Sequence, residues 1–181
     1  MSLWRFGVAG VFILLVGVGD TSAGFGLYSV GTKVGLDVVQ ANDTRHFYGA
    51  QADIATIFTP KLRLEVAGEM GYGRDLDDTK IRVIGGGLFF RYLWGSKSGK
   101  AFAYMGGGVG GTRIRRFSIV FNEYQHENQM VFHFIPLGME KHVFQGRAKG
   151  IFEVRWVLGD AEDVSSLRVA VGIGLNIGKP K

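Results

Sequence analysis

The chain has no cysteine and only 3 prolines in 181 residues. The missing cysteine excludes both a disulfide framework and a thiolate metal site. Beyond residue 18 no apolar run approaches the length of a transmembrane helix, so any membrane this chain enters must be crossed as strands. Its positive charge is not gathered anywhere. The formal net charge is +5 and the pI about 9.6, but the basic residues are spread over alternating positions, which argues against nucleic acid as a partner. None of the four histidines has a second at ligand spacing. Neither a metal nor a cofactor is therefore expected.

What the chain does have is glycine, 29 residues of it, within a composition that is 46% hydrophobic. At that level, and without a collagen repeat, glycine suits closely approaching strands better than helices. One domain is expected, large enough for a small barrel. The first residues follow a separate logic. Trp4-Arg5 precedes the apolar run Phe6 to Val18, and Gly19-Asp20-Thr21-Ser22-Ala23 places small residues at Thr21 and Ala23. That pattern reads as a secretory signal peptide over 1–23 with cleavage near Ala23, leaving 24–181 as the exported domain.

From Gly24 onward the chain divides into eight alternating segments of the length a tilted strand needs to cross a bilayer. In KLRLEVAGEM, 61–70, Leu62, Leu64, Val66 and Met70 fall on one face and Arg63, Glu65 and Glu69 on the other. Other segments run from Tyr28 to Val38, Tyr48 to Phe58, Ile84 to Trp94, Phe102 to Ile114, Met130 to Phe144, Phe152 to Leu158 and Leu167 to Ile177. The sixth is interrupted by Pro136, which leaves the direction of Glu140 open. Tight turns at 59–61, 96–99 and 145–148 alternate with longer polar links at 41–45, 74–80, 116–129 and 159–166. Short turns at one end and long loops at the other describe an all-β, eight-stranded antiparallel up-and-down barrel of the transmembrane kind.

Aromatic residues decide which face is outside. Tyr28, Phe58, Tyr92, Trp94, Phe102, Tyr104 and Phe152 are expected near the turn end of the apolar face, and Tyr48, Tyr72 and Trp156 near the loop end. Such girdles match a lipid-facing wall. The opposite face carries Lys33, Asp37, Asp53, Arg63, Glu65, Glu69, Arg91, Arg113, Glu153, Arg155 and Arg168. These are expected to neutralise one another within a lumen only just wide enough for its own side chains. The reading is a plug. A soluble barrel with this face in water would expose all the charge and enclose the aromatics.

The pattern resembles the small outer-membrane β-barrels that include the OmpA membrane domain and OmpX. Ala170-x-Gly172-x-x-Leu175-x-Ile177 is similar to the C-terminal signal read by the barrel-assembly machinery. It departs from that signal in its first residue and in the Gly178-Lys179-Pro180-Lys181 that follows. The resemblance implies a monomer in the bacterial outer membrane among lipids and lipopolysaccharide. It implies a structural or surface-interaction role; a lipid A deacylase, a lipid A acyltransferase or a narrow porin-like channel are the alternatives. Against the enzymes, no serine stands two residues after His46, His126, His133 or His142, so no base–nucleophile pair can be assembled from the sequence.

Two surface features follow. Arg45, Arg74, Lys80, Arg82, Arg115 and Arg116 share a height at the loop end and are expected to meet lipopolysaccharide phosphates. The 116–129 link places Phe117, Ile119 and Phe121 on odd positions, as though the alternation changed phase at Arg115. A bulge, or a strand rising above the bilayer, would account for that and offer an edge to a surface ligand. The MGGGVGG run, 105–111, contains GxGxxG, yet no strand–helix unit surrounds it as dinucleotide binding requires. Hairpin folding instead brings these glycines beside Gly85 to Gly87, where the wall can curve.

Overall fold

The computed structural model describes residues 26–39, 44–55, 61–74, 79–95, 100–118, 123–159 and 165–177. The expected leader, Phe58 and the 96–99 turn lie outside them. Eight strands follow one another: β1 (Gly26–Val39), β2 (Thr44–Ala55), β3 (Leu62–Arg74), β4 (Lys80–Gly95), β5 (Ala101–Ser118), β6 (Glu123–Val143), β7 (Ala148–Gly159) and β8 (Ser166–Asn176). Each pairs antiparallel with the next, and β8 returns to β1 to close the barrel. That seam runs from Ser29 opposite Asn176 to Val39 opposite Ser166, which leaves no free edge along the barrel wall.

The two faces are inverted relative to a soluble sheet. Asp53 and Glu65 are 0% exposed, whereas Ile173 is 72% and Leu175 62% exposed. Val34, Leu88, Val109, Val169 and Val171 also lie on the outside. The period of two carries this distribution along each strand, because every second side chain must enter the lumen. Apolar residues do enter it, in two places. Ile81, Ile114, Val131 and Val157 cluster toward the loop end, and Leu93, Tyr104 and Ile135 toward the turn end with Phe102 against them.

Those clusters correct the expected orientation of β5. Phe102, Tyr104, Thr112 and Ile114 face inward, and Ala103, Met105, Val109 and Arg113 face outward. The strand's inward positions between them are Gly106, Gly108 and Gly110. A Cβ on Gly108 would stand 2.1 Å from the Leu88 carbonyl oxygen and 2.7 Å from Phe89 Cδ1. The bare wall is what lets the Phe89 ring lie against it. Nor does the alternation change phase at Arg115. Odd positions face outward through Phe117, and β5 and β6 continue as a paired ribbon to Ser118 opposite Glu123.

Irregular register explains two further differences. A shift between Leu27 and Ser29 turns Tyr28 into the lumen, so it is buried and is not a girdle residue. A shift between Phe134 and Leu137, around Pro136, changes which parity of β6 points inward. Val131, His133 and Ile135 are buried above it, and Gly138 and Glu140 below. Glu140 therefore faces the lumen.

Candidate functional site

Every strand contributes at least one polar side chain to a single linked network that runs along the lumen. At its loop end Arg168 makes a two-pronged contact with Asp37, Nε to Oδ1 at 2.5 Å and Nη2 to Oδ2 at 2.9 Å, and its Nη1 donates to Glu69 at 2.6 Å. Glu69 lies 3.8 Å from Arg155. Arg155 of β7 then reaches Glu153 at 2.6 Å and, across the barrel, Glu65 of β3 at 3.2 Å. Lys33 joins the same two carboxylates, at 3.1 Å to Glu65 and 2.9 Å to Glu153.

Toward the turn end the chain of charges continues. Arg91 meets Glu65 at 3.3 Å and also pairs with Asp53. Asp53 accepts from Ser29 at 2.6 Å and from Lys149, which also donates to Glu140 at 3.1 Å. Glu140 in turn lies 3.4 Å from His142. Tyr104, buried on β5, donates to Glu153 at 2.9 Å. Each carboxylate thus faces at least one buried cation. This is the condition under which charge is tolerated inside a low-dielectric wall.

Aromatic faces carry part of the cationic load. The Arg63 guanidinium stacks 3.5 Å over Tyr28, Arg155 lies 4.2 Å from Phe89, and Arg168 3.8 Å from Phe47. A delocalised guanidinium is suited to this, since its planar faces are weakly hydrated while its edge still donates. Two small recesses open into the lumen, one among Asp37, Arg45, Glu69 and Arg168 and one beside Lys33, Phe47 and Gln51.

Of the charges expected in the lumen, Lys33, Asp37, Asp53, Arg63, Glu65, Arg91, Glu153, Arg155 and Arg168 are buried there, and Glu69 is half-buried. Arg113 is not among them. The inverted β5 sets it on the outer face, opposite Ile84 and Asn128. Glu140, whose direction the sequence leaves open, joins the lumen charges, and so does Lys149, which is not among the expected residues. Lys149 stands two residues before Ile151 on the inward parity of β7, and that parity could have found it.

Among the expected girdle residues, Tyr72, Tyr92, Trp94 and Trp156 are exposed on the outer wall, with Phe152 half-buried in the same phase. Tyr104 and Phe102 belong to the inner cluster instead. Tyr48 is exposed there as expected, and the outer wall also carries Phe90, Phe132 and Phe134.

The loop-end cations separate into two groups. Arg45 is buried on the inward phase of β2, in register with Asp37, and Arg116 shares the inward phase of Ile114. Neither joins an outer ring. Arg74, Lys80, Arg82 and Arg115 do point outward, and Arg113 lies with them. Arg74 stands directly opposite Lys80, and Arg82 directly opposite Arg115. Like charges facing each other across a strand pair are destabilising unless an anion offsets them. The same row includes Tyr72 and His46 on one side and His126 on the other. The two histidines on β6 inside the barrel have wall contacts: His133 meets the Phe89 ring edge-on at 4.9 Å, and His142 meets Glu140.

No protein-family model matches the sequence, and no curated protein matches it. Solved structures do. Neisserial surface protein A aligns with a TM-score of 0.67 at 12% identity, over 87% of this chain and 100% of that one. The N-terminal β-barrel domain of Pseudomonas aeruginosa OprF gives 0.57 at 15% identity, over 83% and 98%. Ail, the attachment invasion locus protein of Yersinia pestis, gives 0.56 at 9% identity, over 85% and 99%. Identities this low speak for the fold alone. With closure, strand count and wall polarity in agreement, the chain has the fold of the small eight-stranded outer-membrane β-barrels.

Proposed function

We propose that this chain is an integral protein of a bacterial outer membrane, exported by its leader, cleaved near Ala23 and folded by the barrel-assembly machinery. It acts there as a monomer in a structural and surface-interaction role without catalysis. Its ion-paired lumen is closed to solutes. The single observation that carries this reading is the inversion of the wall. Ile173 and Leu175 are 72% and 62% exposed while Glu65 and Asp53 are fully buried. In water that distribution would leave an apolar surface wrapped around the whole molecule, whereas acyl chains make it favourable.

The experiment is fractionation of the expressed protein followed by electrophoresis with and without boiling. The expected result is recovery in the outer-membrane fraction and faster migration of the unboiled sample. Recovery as a detergent-free soluble protein would contradict the reading.

Lipopolysaccharide phosphates are the proposed partners of the outward cations Arg74, Lys80, Arg82 and Arg115, to which Arg113 is added. The directly opposed Arg82–Arg115 pair supports this, because a phosphate between the two relieves the repulsion. Ail, which has the same fold, has been solved with the heparin analogue sucrose octasulfate, a polyanion, with a TM-score of 0.50 to this chain. Replacing Arg82, Arg113 and Arg115 with glutamine should lower co-purifying lipopolysaccharide. Unchanged retention would remove this partner from the account.

A further inference from the structure

Each carboxylate of the lumen faces a buried cation, but the converse fails at the turn end. Arg63 is the second residue of β3, on the same inward phase as Glu65 and Glu69. Alternation carries it into the lumen, where it is 9% exposed. Its strand neighbours give it no counter-charge. Ala55 stands opposite it on β2, and Arg91, another cation, stands opposite it on β4. Among the described residues no carboxylate forms an ion pair with it. Its Nε and Nη1 are buried without a hydrogen-bond acceptor.

What does lie against Arg63 is an aromatic ring. The register shift before Ser29 turns Tyr28 inward, so the Arg63 guanidinium stacks on that ring at 3.5 Å and Lys149 Nζ lies 5.6 Å from it. A ring face attracts a cation without neutralising it. Arg91 pairs with Asp53 and Glu65, but Lys149 shares the first of these, and Lys33 and Arg155 share the second. Arg91 Nη1 also lacks an acceptor. Two guanidiniums in direct register inside a low-dielectric wall repel each other unless an anion offsets them.

The surroundings favour an anion that enters from water. Lys61, Lys100 and Arg147 are exposed at the turn end. The exposed carboxylates among the described residues, Glu123 and Glu127, lie at the loop end. The field at the turn end therefore draws anions toward the mouth. Guanidinium N–H donors match the oxygens of phosphate in spacing and charge. We infer that Arg63, with Arg91 beside it, forms an oxyanion site at the turn-end mouth of the lumen, taking a small phosphate-like anion from solution.

This inference goes beyond the surface-interaction reading. It concerns the opposite end of the barrel from the lipopolysaccharide cations and needs the fold alone, so either can fail without the other. The probe is inorganic phosphate, titrated against the folded protein in lauryl maltoside micelles, which contain no phosphate. Broadening of the phosphorus resonance measures binding, and the thermal unfolding midpoint is compared between phosphate and chloride of equal ionic strength. The expected result is saturable broadening and a midpoint that rises in phosphate. Arg63→Met, checked for its heat-dependent gel mobility, should bind phosphate roughly tenfold more weakly or worse and lose the phosphate-dependent rise. In chloride it should be no less stable than the parent, because no carboxylate loses a partner. The R82Q/R113Q/R115Q variant should bind like the parent.

Equal phosphate effects on the parent and Arg63→Met, or no saturation, would overturn the inference. So would a marked loss of stability of Arg63→Met in chloride, which would mean that a counter-charge had been removed. Loss of binding in the loop-end variant would overturn the location. Displacement of phosphate by dihexanoyl phosphatidylglycerol at lower concentration than by unlabelled arsenate would overturn the choice of a free anion over a lipid headgroup.

Discussion

Arg168 of β8 and Asp37 of β1 stand directly opposite each other across the seam that closes the barrel, joined by two hydrogen bonds. Backbone pairing brings the last strand to the first, and this pair fixes their register from inside. A one-residue slip would send Arg168 outward and bring Val169 in. Arg168→Met leaves Asp37 and Glu69 without their main partner, and should lower stability by about 3–5 kcal/mol. Urea unfolding of vesicle-inserted protein measures it. Adding Asp37→Leu should restore part of the loss, because Glu69 keeps its contact with Arg155.

Lys149 and Arg113 make a paired contrast. Lys149 is 1% exposed between Asp53 and Glu140, so Lys149→Met should cost about 3 kcal/mol by removing a cation from two buried carboxylates and leaving Glu140 only His142 among its ion-pair partners. Arg113 is exposed on the outer wall, and Arg113→Gln should stay within about 0.5 kcal/mol of the parent. Similar unfolding midpoints for the two variants would contradict the orientation of β5.

Gly138 makes room for Tyr104. A Cβ there would stand 2.0 Å from Tyr104 Cε2, so Gly138→Ala must displace the ring and with it the hydrogen bond to Glu153. The expected loss is about 1–3 kcal/mol. It should be smaller when Gly138→Ala is made in a Tyr104→Leu background, a non-additivity that a double-mutant cycle measures.

Closure of the lumen is tested by planar-bilayer recording. Arg155 links Glu65 on β3 with Glu153 on its own strand and so bridges the bore. The parent protein should show no resolved conductance steps, and an Arg155→Ala/Lys33→Ala double variant should show more current than the parent. Discrete openings in the parent would contradict a closed lumen.

Much of this molecule can be read from alternation, and its failures have local causes. KLRLEVAGEM reads true, because Arg63, Glu65 and Glu69 fall on its inward positions and its outward positions carry no charge. β5 offers no such contrast. Its inward positions are three glycines flanked by Phe102, Tyr104 and Ile114, so the residues that pack the lumen's ends look like lipid-facing ones. Tyr28 and Glu140 sit beside register shifts, where parity carries across only if the bulge is known. Arg45 was legible from its own strand, since it shares the odd positions of Phe47, Gln51 and Asp53. The pairing of particular charges across the bore depends on barrel closure and lies beyond any one strand.

Because the chain has no native cysteine, single cysteines can carry spin labels without background. The most direct measurement places them at Val154 and Val171 on the outer wall and at Ala67 and Ala170 on the inner phase in bilayer-inserted protein. Collision with oxygen, which concentrates in lipid, is compared with collision with a water-soluble nickel complex. The account predicts strong oxygen and weak nickel collision at Val154 and Val171, and weak oxygen collision at Ala67 and Ala170. Lipid contact at Ala67 and Ala170 with water contact at Val154 and Val171 would contradict it.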